Sequence, residues 1–204
     1  QQAPDDLIVW TQLAHSEVQT GNTSSAILLA DEMAKSAQLQ GNKIREAWSY
    51  VVMADAYIAQ GLYENAEPRL QKALAIFQEE QDYSSLATMQ YSYASLAFAR
   101  NDYPLFKQYL LGAMQFAQRA QDPLSEVQFS NYLAVTANKF GEILDRQIYL
   151  DRAEAILDQT HQSKEHYGNI YFNAGMFAET PALAEKNYRK VLAVLPADQD
   201  WWHR

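Results

Sequence analysis

Small and apolar residues recur along this chain with a period of 40 residues. A Gly or Asn marks each repeat, at Gly21, Gly61, Asn101 and Gly141. An alanine lies seven residues before each of these positions, at Ala14, Ala54, Ala94 and Ala134. Two helices cross closely where their side chains are small, and a repeat period of about 20–50 residues is typical of solenoids. The pattern therefore predicts repeating units, each made of two helices and two short turns.

The second half of each unit follows the same register. A small or apolar residue lies twelve positions after the marker, at Met33, Ala73, Ala113 and Ala153. A second polar break comes 20 or 21 positions after it, at Gly41-Asn42, Gln81-Asp82, Gln121-Asp122 and His161-Gln162. A large side chain immediately precedes each first-helix alanine, at Leu13, Met53, Tyr93 and Leu133. The predicted helices are 5–20, 23–39, 43–60, 63–80, 83–100, 103–120, 123–140, 143–160, 163–178 and 181–195.

Local chemistry supports these helix starts. Asp122-Pro123 and Thr180-Pro181 each combine an N-capping side chain with a proline in the first turn, where the missing N–H costs nothing. Asp82 and Ser163 occupy equivalent starts. Pro68 falls within the first two turns of its helix and is expected to be tolerated.

A family resemblance appears in these units. The segment Gly61-Leu62-Tyr63-Glu64-Asn65-Ala66 resembles the second half of a tetratricopeptide repeat (TPR). Trp10, Leu13 and Ala14 are similar to that family's first-helix Trp, Leu and small residue. The resemblance implies an all-α, right-handed superhelix of five antiparallel hairpins in a single domain, residues 1–204. The hairpins are 5–40, 43–80, 83–120, 123–160 and 163–195, and residues 196–204 form a C-terminal cap or tail.

Two features depart from the usual family pattern. The period is 40 residues instead of about 34, and such elongated repeats look like those of bacterial regulators. Phe106 and Arg146 also stand where Ala26, Ala66 and Ala184 occupy the equivalent site. The fourth unit is therefore the weakest match to the family.

Composition excludes several classes of function. The chain of 204 residues has no cysteine, which excludes disulfides, thiolate chemistry and cysteine-based zinc sites. Its net charge is −9 and its Lys and Arg residues are spread singly, so nucleic-acid binding by this segment and membrane-surface binding are not expected. No apolar run reaches the length of a membrane span.

Catalytic and metal sites are not expected either. The seven glycines are too dispersed for a phosphate-binding loop, and no Gly-x-Ser-x-Gly motif supplies a nucleophile. His161 and His166 are neighbours, but a spacing of five is poor for one helix face. We therefore expect a protein that is not an enzyme and that binds no cofactor or metal.

The resemblance places a binding groove on the first helix of each hairpin. It implies groove positions for His15 and Val51 and for the candidate site residues Trp48, Asp55, Tyr91, Phe98, Asn131, Asn138, Lys139, Asn169 and Asn173. The aromatic members are either hydrophobic anchors for a partner or are packed between hairpins. The four asparagines offer donors and acceptors to an extended peptide backbone, with Lys139 for a carboxylate, although a hydrated polar face is the simpler alternative.

The leading hypothesis is a protein- or peptide-binding scaffold, the sensor or assembly segment of a larger bacterial regulatory protein. The alternatives are a small-ligand sensor with Trp48, Tyr91 and Asn131 around the ligand, or a structural homo-oligomer. The first residue is Gln1, which indicates a removed signal peptide or a fragment. Trp201 and Trp202 are expected to cap the last hairpin or to belong to a further unit. The expected compartment is the cytoplasm, with the periplasm as the alternative.

Overall fold

A computed structural model describes residues 7–160 and 167–194, and side chains from residue 9 onward. Every regular element in these ranges is an α-helix. The helices are α1 Leu7–Gln19, α2 Thr23–Gln40, α3 Lys43–Ala59, α4 Tyr63–Glu79, α5 Tyr83–Ala99, α6 Tyr103–Arg119, α7 Pro123–Lys139, α8 Ile143–Thr160, α9 Tyr167–Met176 and α10 Pro181–Val194. The predicted start of α9 at Ser163 lies outside the described residues, and α9 ends two residues earlier than predicted.

The seven turns that connect α1 through α8 share one backbone conformation. A residue with positive φ recurs every 20 positions, at Gly21, Gly41, Gly61, Gln81, Asn101, Gln121 and Gly141. After α1, the Gly21 N–H donates to the Val18 carbonyl at 3.1 Å and the Asn22 N–H to the Glu17 carbonyl at 2.8 Å. This pair of bonds is the Schellman motif, which satisfies the last carbonyls of a helix.

The helix starts are capped as the sequence predicts. The Asp82 Oδ1 accepts from the Ser85 N–H at 3.0 Å, and the Asp122 Oδ1 accepts from the Ser125 N–H at 3.1 Å. The Thr180 Oγ1 accepts from the Leu183 N–H at 3.3 Å. Each cap satisfies an N–H that has no partner within its own helix.

The chain divides into two compact units, Gln1–Ala120 and Gln121–Arg204. In the N-terminal unit, the first helices of the hairpins lie side by side, with α3 in contact with both α1 and α5. The second helix α2 packs against α1 and α3, α4 packs against α3 and α5, and α6 packs against α5. The prediction of one domain over residues 1–204 stays a prediction.

The predicted alanines form the close contacts of this unit. Ala14, Ala54 and Ala94 are buried, and so are Ala73 and Ala113 on the second helices. The bulky residue before the first-helix alanine differs in solvent exposure from one hairpin to the next. Met53 is buried, whereas Leu13 is 48% exposed because, among the described helices, α1 contacts a neighbouring first helix on one side only.

The C-terminal unit contains α7 to α10 in its described part. Helix α8 packs against α7 and α9, α10 packs against α9, and α7 contacts α9. Its core cluster comprises Val127, Ala134, Leu150, Ala153, Leu157 and Ile170. The alanines of the fourth hairpin are thus buried as the repeat pattern predicts.

Candidate functional site

Three of the predicted groove residues, Trp48, His15 and Asp55, join neighbouring hairpins of the N-terminal unit. The Trp48 Nε1–H donates to the Ser85 Oγ at 3.0 Å, and its ring lies edge-on to Phe77 with 5.7 Å between centroids. His15 Nε2 and Asp55 Oδ2 are 3.1 Å apart. Of the two interpretations of Trp48, the structure supports packing between hairpins.

Other groove positions of this unit differ in exposure. Val51, predicted to face the groove, is fully buried among core residues of α3, α4 and α5. Tyr91 is half-buried. Phe98 is 44% exposed and contacts the Phe106 ring, with 5.5 Å between centroids. Phe98 is therefore the candidate aromatic anchor that keeps the most accessible surface.

Part of the asparagine cluster comes together in the C-terminal unit. The Asn173 Nδ2 donates to the Asn131 Oδ1 at 2.7 Å, which links α9 to α7. Asn173 is only 9% exposed, whereas Asn169, one turn earlier on α9, is exposed. Asn131 and Asn169 line a cleft of about 480 Å³ between α7 and α9, together with Gln128.

The polar rim of this cleft has an apolar floor. Leu124, Val127 and Ile170 contribute apolar surface to the same cleft. The Gln128 Nε2 donates to the Tyr132 hydroxyl at 3.2 Å, so its carbonyl oxygen is the atom with capacity to accept. A cleft with apolar walls and a few convergent polar groups is the usual form of a binding site.

Asn138 and Lys139 lie apart from this cleft. The Asn138 Oδ1 accepts from the Arg146 Nη1 at 3.0 Å, which ties the end of α7 to the start of α8. The exposed Lys139 ammonium lies 5.9 Å from the centroid of the Phe140 ring. The structure therefore places Asn131 and Asn169 at the cleft, Asn173 behind them in a hydrogen bond to Asn131, and Asn138 beside Arg146.

A second cavity in the C-terminal unit was not predicted from the sequence. It has a volume of about 380 Å³ between α8, α9 and α10, and Arg146 lies in its wall. The Glu154 Oε1 accepts from the Tyr171 hydroxyl at 3.0 Å and from the Lys190 ammonium at 3.2 Å. Burial, and then the hydrogen bond to Glu154, raise the pKa of the Tyr171 phenol well above its ordinary value. The available signal was Arg146 itself, at a position where other units have alanine.

Metal ligands and membrane-spanning helices can be assessed in the described residues. Within 7–160 and 167–194, His, Asp and Glu side chains form no group of three that could hold a metal ion. His161, His166, Trp201 and Trp202 lie outside these ranges. In the same ranges, no helix combines the length and the apolar character that crossing a bilayer requires.

Comparison with known proteins identifies the fold. Neither a model of a known protein family nor a curated protein matches this sequence. A crystal structure of nearly identical TPR-like repeats, from a Podosopora anserina protein described as a kinesin light chain, does match. It has a TM-score of 0.61 and 18% sequence identity, and the match covers 95% of this chain and 97% of that chain. The fold is all-α and TPR-like, as the repeat pattern and the resemblance predicted.

Proposed function

We propose that this chain is a protein- or peptide-binding scaffold that holds an extended peptide segment in the cleft between α7 and α9. One observation carries the proposal, the convergence of the Gln128, Asn131 and Asn169 amides on the rim of this cleft. The TPR-like fold supports it, because stacked helical hairpins create extended surfaces for binding.

The hydrogen-bonding capacity of the rim suits a peptide backbone. An extended peptide presents N–H and C=O groups in alternation, and a side-chain amide can bond to either kind of group. The Asn131 oxygen already accepts from Asn173, so Asn131 would donate to a peptide carbonyl. Gln128 would accept from a peptide N–H, and Asn169 can do both.

The apolar floor would add affinity for particular side chains. Alternate side chains of an extended peptide point to the same side, so every second residue would contact Leu124, Val127 or Ile170. We therefore propose a partner segment with small apolar residues at alternate positions. In the N-terminal unit, the exposed Phe98 is a further candidate anchor.

The wider setting forms part of the same proposal. The elongated repeat period supports a non-catalytic sensor or assembly segment of a larger bacterial regulatory protein, located in the cytoplasm. The net charge of −9 argues against a nucleic-acid partner for this segment.

The test is selection of peptides from a displayed library of unstructured sequences, followed by affinity measurements on the chain and its variants. We expect the double variant Gln128→Ala/Asn169→Ala to bind the selected peptides with about tenfold lower affinity, since each lost hydrogen bond is worth about 0.5–1.5 kcal/mol. Both residues are exposed, so the variant should fold normally. Asn131 stays in place because its removal would leave the buried Asn173 amide without its partner.

Gln159→Ala is the matched control, since it removes an exposed amide from α8 of the same unit. Methylation of peptide backbone nitrogens gives an independent readout, because it removes N–H donors while the side chains remain. Two results would contradict binding of the peptide backbone by the Gln128, Asn131 and Asn169 amides. One is that peptides bind the double variant as tightly as the original chain, and the other is that they tolerate methylation at every position.

A further inference from the structure

Arg146 is a buried cation with an unused donor. It lies in the first turn of α8, is 8% exposed, and contacts the Phe177 ring from 6.0 Å. Its Nη1 donates to the Asn138 Oδ1 at 3.0 Å. Its Nε is buried and has no hydrogen-bond partner. Its Nη2 lies 3.8 Å from the Glu179 Oε1, which is beyond hydrogen-bond distance.

The unpaired Nε–H lies on the edge of the Arg146 guanidinium that can bind a carboxylate. The Nε–H and one Nη2–H of a guanidinium point in the same direction and match the two oxygens of a carboxylate. In Arg146 this edge is the one that lacks a hydrogen-bonded partner, while the other edge is fixed by Asn138. The side chain is thus held in place by Asn138, while its buried Nε–H has no hydrogen-bond partner.

Helix packing does not explain why an arginine is at this position. The equivalent residues Ala26 and Ala66 are fully buried and allow their hairpins to pack. Leaving a buried charged donor unpaired destabilises a protein, and each such group in a native structure calls for an explanation. A ligand that pairs with the Nε–H would remove this cost.

The cavity beside Arg146 has the size and lining of a small-molecule site. Its volume of about 380 Å³ falls in the usual range for such sites. Leu150, Ile170 and Leu183 supply apolar surface. The other cation in the lining, Lys190, is already paired with Glu154. Arg146 has a longer ion pair, 3.8 Å from its Nη2 to the Glu179 Oε1, and a ligand anion would replace Glu179 there.

We propose that this cavity binds a small organic carboxylate with an apolar body. The two carboxylate oxygens accept hydrogen bonds from the Nε and Nη2 of Arg146, and the apolar body contacts Leu150, Ile170 and Leu183. The exposed Glu179 carboxylate competes for the same edge from 3.8 Å. This site shares Ile170 with the proposed peptide cleft, but its charged group is Arg146, so it does not depend on that cleft.

The experiment is isothermal titration of the full chain with hexanoate and with hexanamide, which is similar in shape but uncharged. Acetate and phenylacetate serve as shorter and aromatic carboxylates. We expect hexanoate to bind at least about tenfold more tightly than hexanamide, and acetate to bind weakly because it lacks the apolar body. The proposal is overturned if no carboxylate binds at tens of millimolar or if hexanamide matches hexanoate.

Variants locate the binding. Arg146→Ala should fold, because alanine occupies this position in three other hairpins, and it should reduce hexanoate affinity at least about tenfold. Arg146→Lys keeps the charge but loses the planar edge, so its binding should also be weak. Arg152→Ala, on the exposed side of the same helix, is the control and should bind as the original chain does. Unchanged affinity in Arg146→Ala would refute the assignment.

Glu179→Gln separates a ligand site from an internal ion pair. If Glu179 only competes with the ligand, the variant should bind hexanoate a fewfold more tightly and unfold at the same temperature. If hexanoate binds the variant but not the original chain, and the variant melts at a lower temperature, Glu179 is itself the partner of Arg146. That result would overturn the proposal.

Discussion

Replacing Gln81 by glycine should stabilise the N-terminal unit, although the substitution removes a side chain. Gln81 has a φ of +53°, whereas the equivalent turn residue Gly61 has a φ of +74°. The left-handed conformation costs a residue with a side chain about 1–2 kcal/mol. Glycine loses more conformational entropy on folding than glutamine does, and this offsets about 0.5–1 kcal/mol of that gain. We therefore expect a net gain of about 0.5–1 kcal/mol.

A chemically identical substitution in a different backbone conformation is the control. Gln71 is exposed in the middle of α4, and Gln71→Gly should destabilise the unit by about 0.5–1 kcal/mol. The reverse change, Gly61→Ala, should also destabilise it. A Cβ at Gly61 would meet no atom within 4 Å, so the backbone conformation is the only cause.

The assay is native-state hydrogen exchange, because each hairpin of a repeat protein contacts only its neighbours and a local readout is therefore appropriate. The probe is the Asp82 N–H, which donates to the Phe77 carbonyl at 3.1 Å in the turn. Gln81→Gly should raise its opening free energy, and Gln71→Gly should lower it. If both variants shift the opening free energy in the same direction, the reasoning from turn geometry is wrong.

Three further predictions concern the N-terminal unit. Phe77→Ala should lower the free energy of unfolding, measured by urea denaturation, by about 3–5 kcal/mol, because the Phe77 ring is fully buried. Leu39 is 90% exposed, so Leu39→Ala should lower it by less than about 0.5 kcal/mol. A double-mutant cycle of Trp48→Phe and Ser85→Ala should give a coupling energy of about 0.5–1.5 kcal/mol, and zero coupling would contradict their hydrogen bond. Burial raises the pKa of Tyr93 to about 12, so the folded state retains a proton that the unfolded state loses near pH 10. The free energy of unfolding should therefore fall between about pH 10 and 12, and it should fall less steeply in Tyr93→Phe. An equal slope of this free energy against pH in the original chain and the variant would refute the prediction.

The repeat period was sufficient to predict most of the fold. Position relative to each marker residue fixed where helices begin and end, because turn residues and N-caps act locally. Asp82 and Asp122 cap their helices for this reason. Gln81 and Gln121 fell within predicted breaks, but nothing in their side chains indicated a left-handed backbone.

The candidate site was less predictable, because the period does not fix how far each helix rotates about its axis. Val51 was placed in a groove, yet it is fully buried against α4 and α5, whereas Trp48 is half-buried and bonded to Ser85 of the next hairpin. The pairing of Asn131 with Asn173 depends on the approach of α9 to α7. The contacts of Arg146 with Asn138 on α7 and with Phe177 and Glu179 after α9 depend on tertiary packing, which a repeat pattern does not describe.

The most direct test of the peptide-binding proposal is a two-dimensional ¹⁵N NMR titration that follows side-chain amides while a selected peptide is added. Binding in the cleft should give large shifts for the Gln128, Asn131 and Asn169 amide groups, and none for Gln159 on α8. Shifts at Gln159 with unchanged signals at the cleft would show that partners bind elsewhere and would refute the proposed peptide site.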